Sequence, residues 1–469
     1  MTFFVLVSWD VCSDEMVIRK VVEERQLDMT VTPENVHSVL KQYQLTDGYD
    51  LVVDLDKSNG VWIHDSATGK DYLDAFTCFA SWPLGFNHPE LMAAPFSEDI
   101  LKVSRNKIAN SDLYTTELAE FVEAFGSKVT PEDYPHHFWV SGGALAVENS
   151  LKTAFDWKAR KLGRTNFNDD VNDLVILHFE QAFHGRSGYT MSLTNTLPDK
   201  VGLYPKFNWP RVSTPFCEFD NDGNIVNDIE AAEAKTCAEI EKAFEEYSNR
   251  IAAIVIEPMQ GEGGDNHFRN EFLEKLRQYA DEREALLVFD EVQTGFYGSG
   301  KTWFWQHTTV RPDVVCFGKK TQTCGIYANR RVDEVADNVF KRSSRINSTW
   351  GGNLVDMVRC TQFIKIIERD NIADLVTKVG DHVLAGLRNI GKDSGAFTSV
   401  RGKGSLIAFT VPSQEHRAAM LSSLMEAGVI ALPCGVRSVR FRLPLIMTIE
   451  DSDELLNRTR MAVGSMATA

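Results

Sequence analysis

An aspartate and a lysine each stand where an apolar run ends. In ALLVFDEVQTG (285–295) the run ends at Asp290, and in VVCFGKKTQTCG (314–325) it ends at Lys319. A lysine at a strand end, with its amine partly desolvated, is the right nucleophile for a carbonyl carbon. An aspartate at a neighbouring strand end can pair with a protonated pyridine nitrogen and keep the ring electron-withdrawing. Lys320 follows directly, so spacing alone leaves open which lysine reacts. Two solvated strand-end charges would leave the same letters. A further cluster lies upstream, where HFWVSGGALAVENSLKTAFDWK (137–158) passes from an apolar run through two glycines into a helical pattern. Unpaired N–H groups at a helix start, with glycines allowing close approach, make an anion site. An ordinary strand-to-helix turn reads the same way.

Two arginines carry paired readings. Arg440 lies inside the apolar strand pattern SVRFRLPL (438–445), where burial demands an anionic partner. That partner is either a fixed structural carboxylate or the carboxylate of a substrate held by the guanidinium fork. Arg186, beside His184 in AFHGRSG (182–188), has the same two readings.

A rival chemistry overlaps these residues. Gly295–Thr302, GFYGSGKT, matches the GxxxxGK[ST] phosphate loop letter for letter. Such a loop follows its own strand directly, and the acidic strand of a nucleotide hydrolase lies far downstream. Here the acidic pair comes first, with only EVQT between Asp290 and Gly295, and one strand cannot serve both roles. DNDGNIVND (220–228) has its glycine too early for a calcium loop, and HGRSG does not satisfy GxSxG. No metal site is expected.

These side chains need elements to position them. Strand candidates are 137–142, 174–180, 211–216, 252–258, 285–291 and 314–319, with amphipathic stretches such as 270–284 between them. Near-continuous apolar strands alternating with helices imply a mostly parallel sheet covered on both faces. Ligands bind past the C-terminal ends of such strands, where Gly142–Ala144, Phe183–Arg186, Glu257–Gly264, Asp290–Gln293 and Lys319 fall. From about 352 the pattern reads helix first, then short strands at 405–411, 428–432 and 438–444, as in a second, smaller α/β domain. VWIHDSATGKDYLDAF (61–76) reads as a hairpin that joins it. The expected divisions are an N-terminal extension over 1–28, the N-terminal part of the small domain over 29–85, a large domain over 86–350 and the C-terminal small domain over 351–469.

Composition bounds the function. The 469 residues, 43% hydrophobic and 25% charged, fit a globular chain of two or three domains. A formal net charge of −17 opposes binding to nucleic acid or anionic membrane. No apolar run approaches the roughly 20 residues of a membrane span. MTFFVLVSWDVC lacks the basic start of a secretory signal, and MTVTPENVHSVL (29–40) reads as a capped helix. The eight cysteines have no regular spacing, which suits reduced thiols in a cytoplasmic protein.

Taken together, these residues resemble the class III aminotransferases of pyridoxal-phosphate fold type I, over about 30–460. The strongest segment is D-E-x-x-x-G, then a proline–aspartate, then G-K: here Asp290 to Gly295, Pro312-Asp313 and Gly318-Lys319. The stretches GGALAVEN, AFHGRSGYTMSLTNT (182–196), QGEGGD, FGKKTQ, RRVDEVADNVF and NSTWGGN are similar to the branch of that family acting on L-lysine. The resemblance implies pyridoxal 5'-phosphate attached at Lys319 rather than Lys320. It implies Gly143 and Ala144 on the phosphate, although most of the family has serine or threonine in place of Ala144. Phe183 and Val292 would lie on the two ring faces, Asp290 on the ring nitrogen and Gln293 on the ring hydroxyl. Thr349 would reach the cofactor of a partner subunit, which requires a homodimer. The implied substrates are L-lysine and 2-oxoglutarate, with Arg186, Gln293, Arg440, Glu262 and Asn347 as the substrate-binding set. Glu262 would neutralise Arg440 while lysine is bound and swing away for the keto acid. Ornithine and 4-aminobutyrate are the alternative amino donors. A cofactor-binding regulator without turnover finds no basic DNA-binding region in this chain.

Overall fold

The computed structural model describes residues 31–468, so the extension expected over 1–28 lies outside the described residues. Two compact units separate by density of contact. One comprises the described residues up to Asp54 together with His64–Lys70, and the other Leu55–Ile63 with Asp71–Ala469. In the first unit the helix read near 29–40 spans Val36–Lys41, and the Asn35 carboxamide accepts from the Thr32 N–H. Asp65 gathers the N–H groups of Val52 and Ala67 and the Thr68 hydroxyl.

The second unit is built on a seven-stranded sheet. Its strands in chain order are β1 (His136–Val140), β2 (Val175–Phe179), β3 (Arg211–Val212), β4 (Ile251–Ile256), β5 (Leu286–Asp290), β6 (Val314–Phe317) and β7 (Cys324–Ala328). Their spatial order is β1-β7-β6-β5-β4-β2-β3. Only β7 runs against the others; β6, β5, β4, β2 and β3 pair in parallel. The strand expected over 314–319 therefore stops at Phe317. The chain turns and returns as β7, a strand absent from the expected set.

Side chains alternate across β5, and both faces are covered. Leu286 and Val288 pack with Val147 and Leu151 of the helix α1 (Gly143–Lys161). Leu287 and Phe289 pack with Phe272, Leu273 and Leu276 of Asn270–Glu282. Burial on both sides explains why these strands are apolar at every position rather than every second one. No helix among the described residues is long and apolar enough to cross a membrane.

The C-terminal portion forms an antiparallel sheet of β8 (Thr398–Lys403), β9 (Leu406–Thr410), β10 (Leu432–Cys434) and β11 (Ser438–Arg442), ordered β8-β9-β11-β10. Asp71–Asp74, the second arm of the hairpin read at 61–76, pairs in parallel with Val429–Ile430, and Leu73 shares a core with Ile407 and Phe441. On β11 the period of two is decisive. Val439 and Phe441 enter that core, so Arg440 and Arg442 share the opposite face. Both are 1% exposed.

Arg442 is paired there with Asp265 through two bonds of 2.7 and 2.5 Å, and the Asp265 side chain is fully buried. Removing one member of such a pair strands a buried charge, at about 3–5 kcal/mol. Asp265→Ala is expected to lower the denaturant midpoint accordingly. A midpoint unchanged from wild type would show that Arg442 does not depend on Asp265.

Candidate active site

The C-terminal ends of β2, β4, β5 and β6 and the start of α1 surround a cavity of about 320 Å³. It is lined by Gly143, Ala144, Phe183, His184, Gly185, Arg186, Glu257, Glu262, Asp290, Val292, Gln293 and Lys319. Most of the residues singled out from the sequence thus meet in one place. A larger cavity of about 750 Å³ lies among Trp209–Val212 and Glu239–Tyr247, but it holds neither the lysine nor the aspartate.

The two lysines after β6 have different surroundings. Lys320 is 3% exposed, and its amine donates to the carbonyls of Gln293 (2.8 Å) and Gly295 (3.3 Å). Burial, with Arg442 and Lys319 nearby, drives that amine well below the ordinary lysine range. Lys319 instead lines the cavity, with backbone φ at +55°. This left-handed conformation is uncommon outside glycine and is typical of functional sites. Burial and the guanidinium groups of Arg440 and Arg442 push its amine down to about 8, against the pull of Asp290 and Glu262. The structure therefore separates what spacing could not: Lys320 is tied to backbone and Lys319 faces the cavity.

Asp290 closes β5, and its two oxygens have separate partners. Oδ1 accepts from the Val292 N–H at 3.0 Å, and Oδ2 meets His184 Nδ1 at 2.8 Å. His184 is buried, and the Asp290 and Glu257 carboxylates raise its pKa even though burial opposes its charge. From the sequence, His184 stands out only as a neighbour of Arg186. Glu291, the other acid of the pair, points away. Its carboxylate accepts from the N–H groups of Phe304 and Trp305 at 2.7 and 2.8 Å. Burial pushes it up to about 7. It fastens the turn at Phe304–His307 and takes no part in the cavity.

At the start of α1, Gly142 has φ +113° and supplies no side-chain cap, leaving the first helical N–H groups without partners. The backbone there is closely packed. A Cβ on Gly143 would come within 2.8 Å of Val292, and one on Gly185 within 2.5 Å of Ala144. Two buried carboxylates hold the facing loop. Glu257 accepts from the Phe183 and Gly261 N–H groups, each at 3.0 Å. Glu148 accepts from the Ser187 hydroxyl and the Tyr189 N–H, each at 2.7 Å. Sequence reasoning misses Glu148. It is a carboxylate between Val147 and Leu151 on a buried helix, which the sequence alone does not set apart.

Opposite lies a polar cluster. Gln293 Oε1 accepts from Arg440 at 3.2 Å and from two nitrogens of Arg442 at 3.1 and 2.7 Å. Guanidinium only donates, so the amide oxygen must face the arginines and Nε2 is left to donate elsewhere. Arg440 Nη2 also donates to Glu262 Oε2 at 2.6 Å, while Arg440 Nε is buried without a partner. Glu262 Oε1 accepts from Lys200, a residue that carries no signal in the sequence. Burial alone would raise the Glu262 pKa, but Arg440 and Lys200 hold it down at about 2. Arg186 lines the cavity with an exposed side chain. Asn347 and Thr349 are exposed and do not line it.

The phosphate-loop reading fails on structure. β5 ends before Gly295, the stretch closes on itself through Tyr297 N–H to the Thr302 carbonyl, and only the short 3₁₀ turn Phe304–His307 follows. Lys301 donates to the Gln306 carbonyl. Among the described residues no cluster suited to a metal ion occurs.

Residues 45–463 match the family model described as aminotransferase class-III. An L-lysine-epsilon aminotransferase of Streptomyces clavuligerus is 45% identical over 92% of this chain and 95% of that protein. The protein of the same description from Amycolatopsis lactamdurans is 46% identical over 92% and 96%. The solved lysine aminotransferase of Mycobacterium tuberculosis superposes with a TM-score of 0.88 at 43% identity, over 93% of this chain and all of that one.

Proposed function

The chain belongs to the class III aminotransferases, and on that premise we propose that it transfers the ε-amino group of L-lysine to 2-oxoglutarate. The products are L-glutamate and 2-aminoadipate 6-semialdehyde, which cyclises through its own α-amine to 1-piperideine-6-carboxylate. The observation that carries the substrate reading is the Glu262–Arg440 pair beside Lys319, in a chain whose relatives are described as acting on lysine.

The residues present fit pyridoxal 5'-phosphate, the cofactor of this enzyme. The cavity has uncapped helix N–H groups at one end, apolar walls, an aspartate held by histidine and an unbonded lysine. When bound, the cofactor supplies an electron sink that acidifies the carbon bearing the amino group. Gly143 and Ala144 would hold its phosphate, Phe183 and Val292 would flank its ring, Asp290 would pair with the ring nitrogen and Gln293 would meet the ring hydroxyl. The Lys319 amine, held near 8, is poised as the base that moves a proton at the substrate's ε-carbon. Thr349 and Asn347, exposed and apart from their own chain's cavity, complete the site of the other protomer in a homodimer.

Two substrates of different charge must share this site. Arg186 takes the α-carboxylate of lysine and the distal carboxylate of 2-oxoglutarate. Arg440 takes the α-carboxylate of 2-oxoglutarate. The unpartnered Arg440 Nε supports this assignment. Nε and Nη2 form a parallel fork suited to one carboxylate. Glu262 is bonded only to the Nη2 arm, so a keto-acid carboxylate displacing it gains a second bond. Glu262→Ala is expected to slow the lysine half-reaction about tenfold or more, because Arg440 is then left uncompensated, and to slow the 2-oxoglutarate half-reaction less. Equal losses in single-turnover assays of the two halves would sink the switch.

The direct test mixes holoenzyme with excess L-lysine and no keto acid, follows the visible cofactor band and traps the cyclic product. Loss of the band with product formation supports the reading. A band indifferent to lysine but discharged by ornithine or 4-aminobutyrate would move the enzyme to that donor.

A further inference from the structure

Glu262 has two cationic partners of different kind. Arg440 sits on β11, 1% exposed and fixed by Gln293 as well. Lys200 comes from the short helical turn Pro198–Val201 in the connection between β2 and β3. Its side chain is 26% exposed, its amine lies 5.3 Å from the centre of the Phe183 ring, and it does not line the cavity. Glu262, which lines the cavity, thus joins a rigid, buried cation to a partly exposed one on a flexible side chain, and neither cation lines the cavity itself. Its backbone is anchored. The Glu262 carbonyl accepts from the Gly435 N–H at 2.8 Å, and a Cβ on the next residue, Gly263, would come within 2.1 Å of the Gln181 carbonyl oxygen. Any departure from Arg440 is therefore a rotation of the side chain.

We propose that Lys200 is a positioning residue that retains Glu262 when a keto acid takes Arg440; this rests on the lysine and 2-oxoglutarate reading above. A carboxylate that left Arg440 alone would be stranded, half-desolvated, without a counter-charge. With Lys200 already on its other oxygen, the charge stays paired throughout the rotation. The Phe183 ring face favours an ammonium at that place, so Lys200 is held where it can receive Glu262. Lys200 acts through Glu262 and touches neither substrate, so it lowers the resistance to keto-acid binding and leaves lysine binding alone.

The test uses the holoenzyme and its Lys200→Met and Lys200→Arg variants, each half-reaction being followed by cofactor absorbance in single turnover. Lys200→Met is expected to raise the 2-oxoglutarate concentration for half-maximal rate about fivefold, the scale of a partly exposed ion pair. The lysine half-reaction should change less than about twofold, and Lys200→Arg should restore the keto-acid half. In a Glu262→Ala background Lys200→Met should have no further effect, because the two act as one unit. Equal changes in both halves, no change in either, or additive losses in the double variant would overturn the proposal. If the wild type itself ignores lysine, the substrate reading falls separately, and the same comparison with the donor it does accept still decides the role of Lys200.

Discussion

Lys319→Ala is expected to lower turnover by about 10²–10⁴-fold from loss of the proton-moving base alone, while Lys320→Met keeps the visible cofactor band. The two residues are adjacent, so the contrast isolates chemistry from charge. Lys320 spends its amine on the carbonyls of Gln293 and Gly295, the two residues that carry the chain away from Asp290. Methionine keeps the bulk but leaves those carbonyls without a donor, at roughly 1–3 kcal/mol, so its effect should be seen in thermal or denaturant stability. Lys319 has its amine in the cavity at the strained φ of +55°, and alanine there removes the amine that reaches a carbonyl carbon from that position. Borohydride reduction of the wild type followed by peptide mass analysis should place the cofactor on residue 319. Turnover near wild type in Lys319→Ala, or the added mass on residue 320, would refute the assignment.

The two central strands are legible in the sequence because burial on both faces leaves a continuous apolar run, although the second strand stops at Phe317, two residues before the expected end. LLVFD and VVCF therefore place Asp290 and Lys319 on a common rim by pattern alone. The return strand β7 is not legible. Its sequence, CGIYA, is short and broken by a glycine, and it pairs as an antiparallel hairpin arm where the pattern leads one to expect parallel crossovers. Partners fixed by the tertiary fold are equally hidden. Nothing in the local pattern joins His184 to Asp290, or Glu257 to the Phe183 N–H, because each bond spans separate loops. Arg442 is different: RFR inside an apolar strand puts both arginines on one face by simple alternation. A pair on that face calls for two anionic partners, which the structure supplies as Glu262 and Asp265. Lys200 has no signal at all, being a loop lysine whose position depends on Glu262 and the Phe183 ring.

Asp290 is the second residue whose loss should nearly silence the enzyme, and the expected size follows from what it pairs with. Asp290→Asn keeps the shape but turns one of the two acceptor oxygens into a donor and removes the charge proposed to face the ring nitrogen. Breaking a buried pair by deleting one charge costs about 3–5 kcal/mol, which corresponds to roughly 10²–10⁴ in rate. The loss should appear in the rate of the lysine half-reaction with the cofactor still bound and visible, since the helix N–H groups and Lys319 remain. His184→Ala should cost less, about tenfold, because the imidazole holds and supplements the Asp290 charge without meeting the ring. The double variant separates orientation from independent action. If His184 works only through Asp290, adding His184→Ala to Asp290→Asn changes the rate little further. A full tenfold additional loss would mean that the histidine has its own contact with the reacting groups. Asp290→Asn at more than about a third of the wild-type rate would remove Asp290 from the chemistry altogether and leave it as a clamp for His184 and the Val292 N–H.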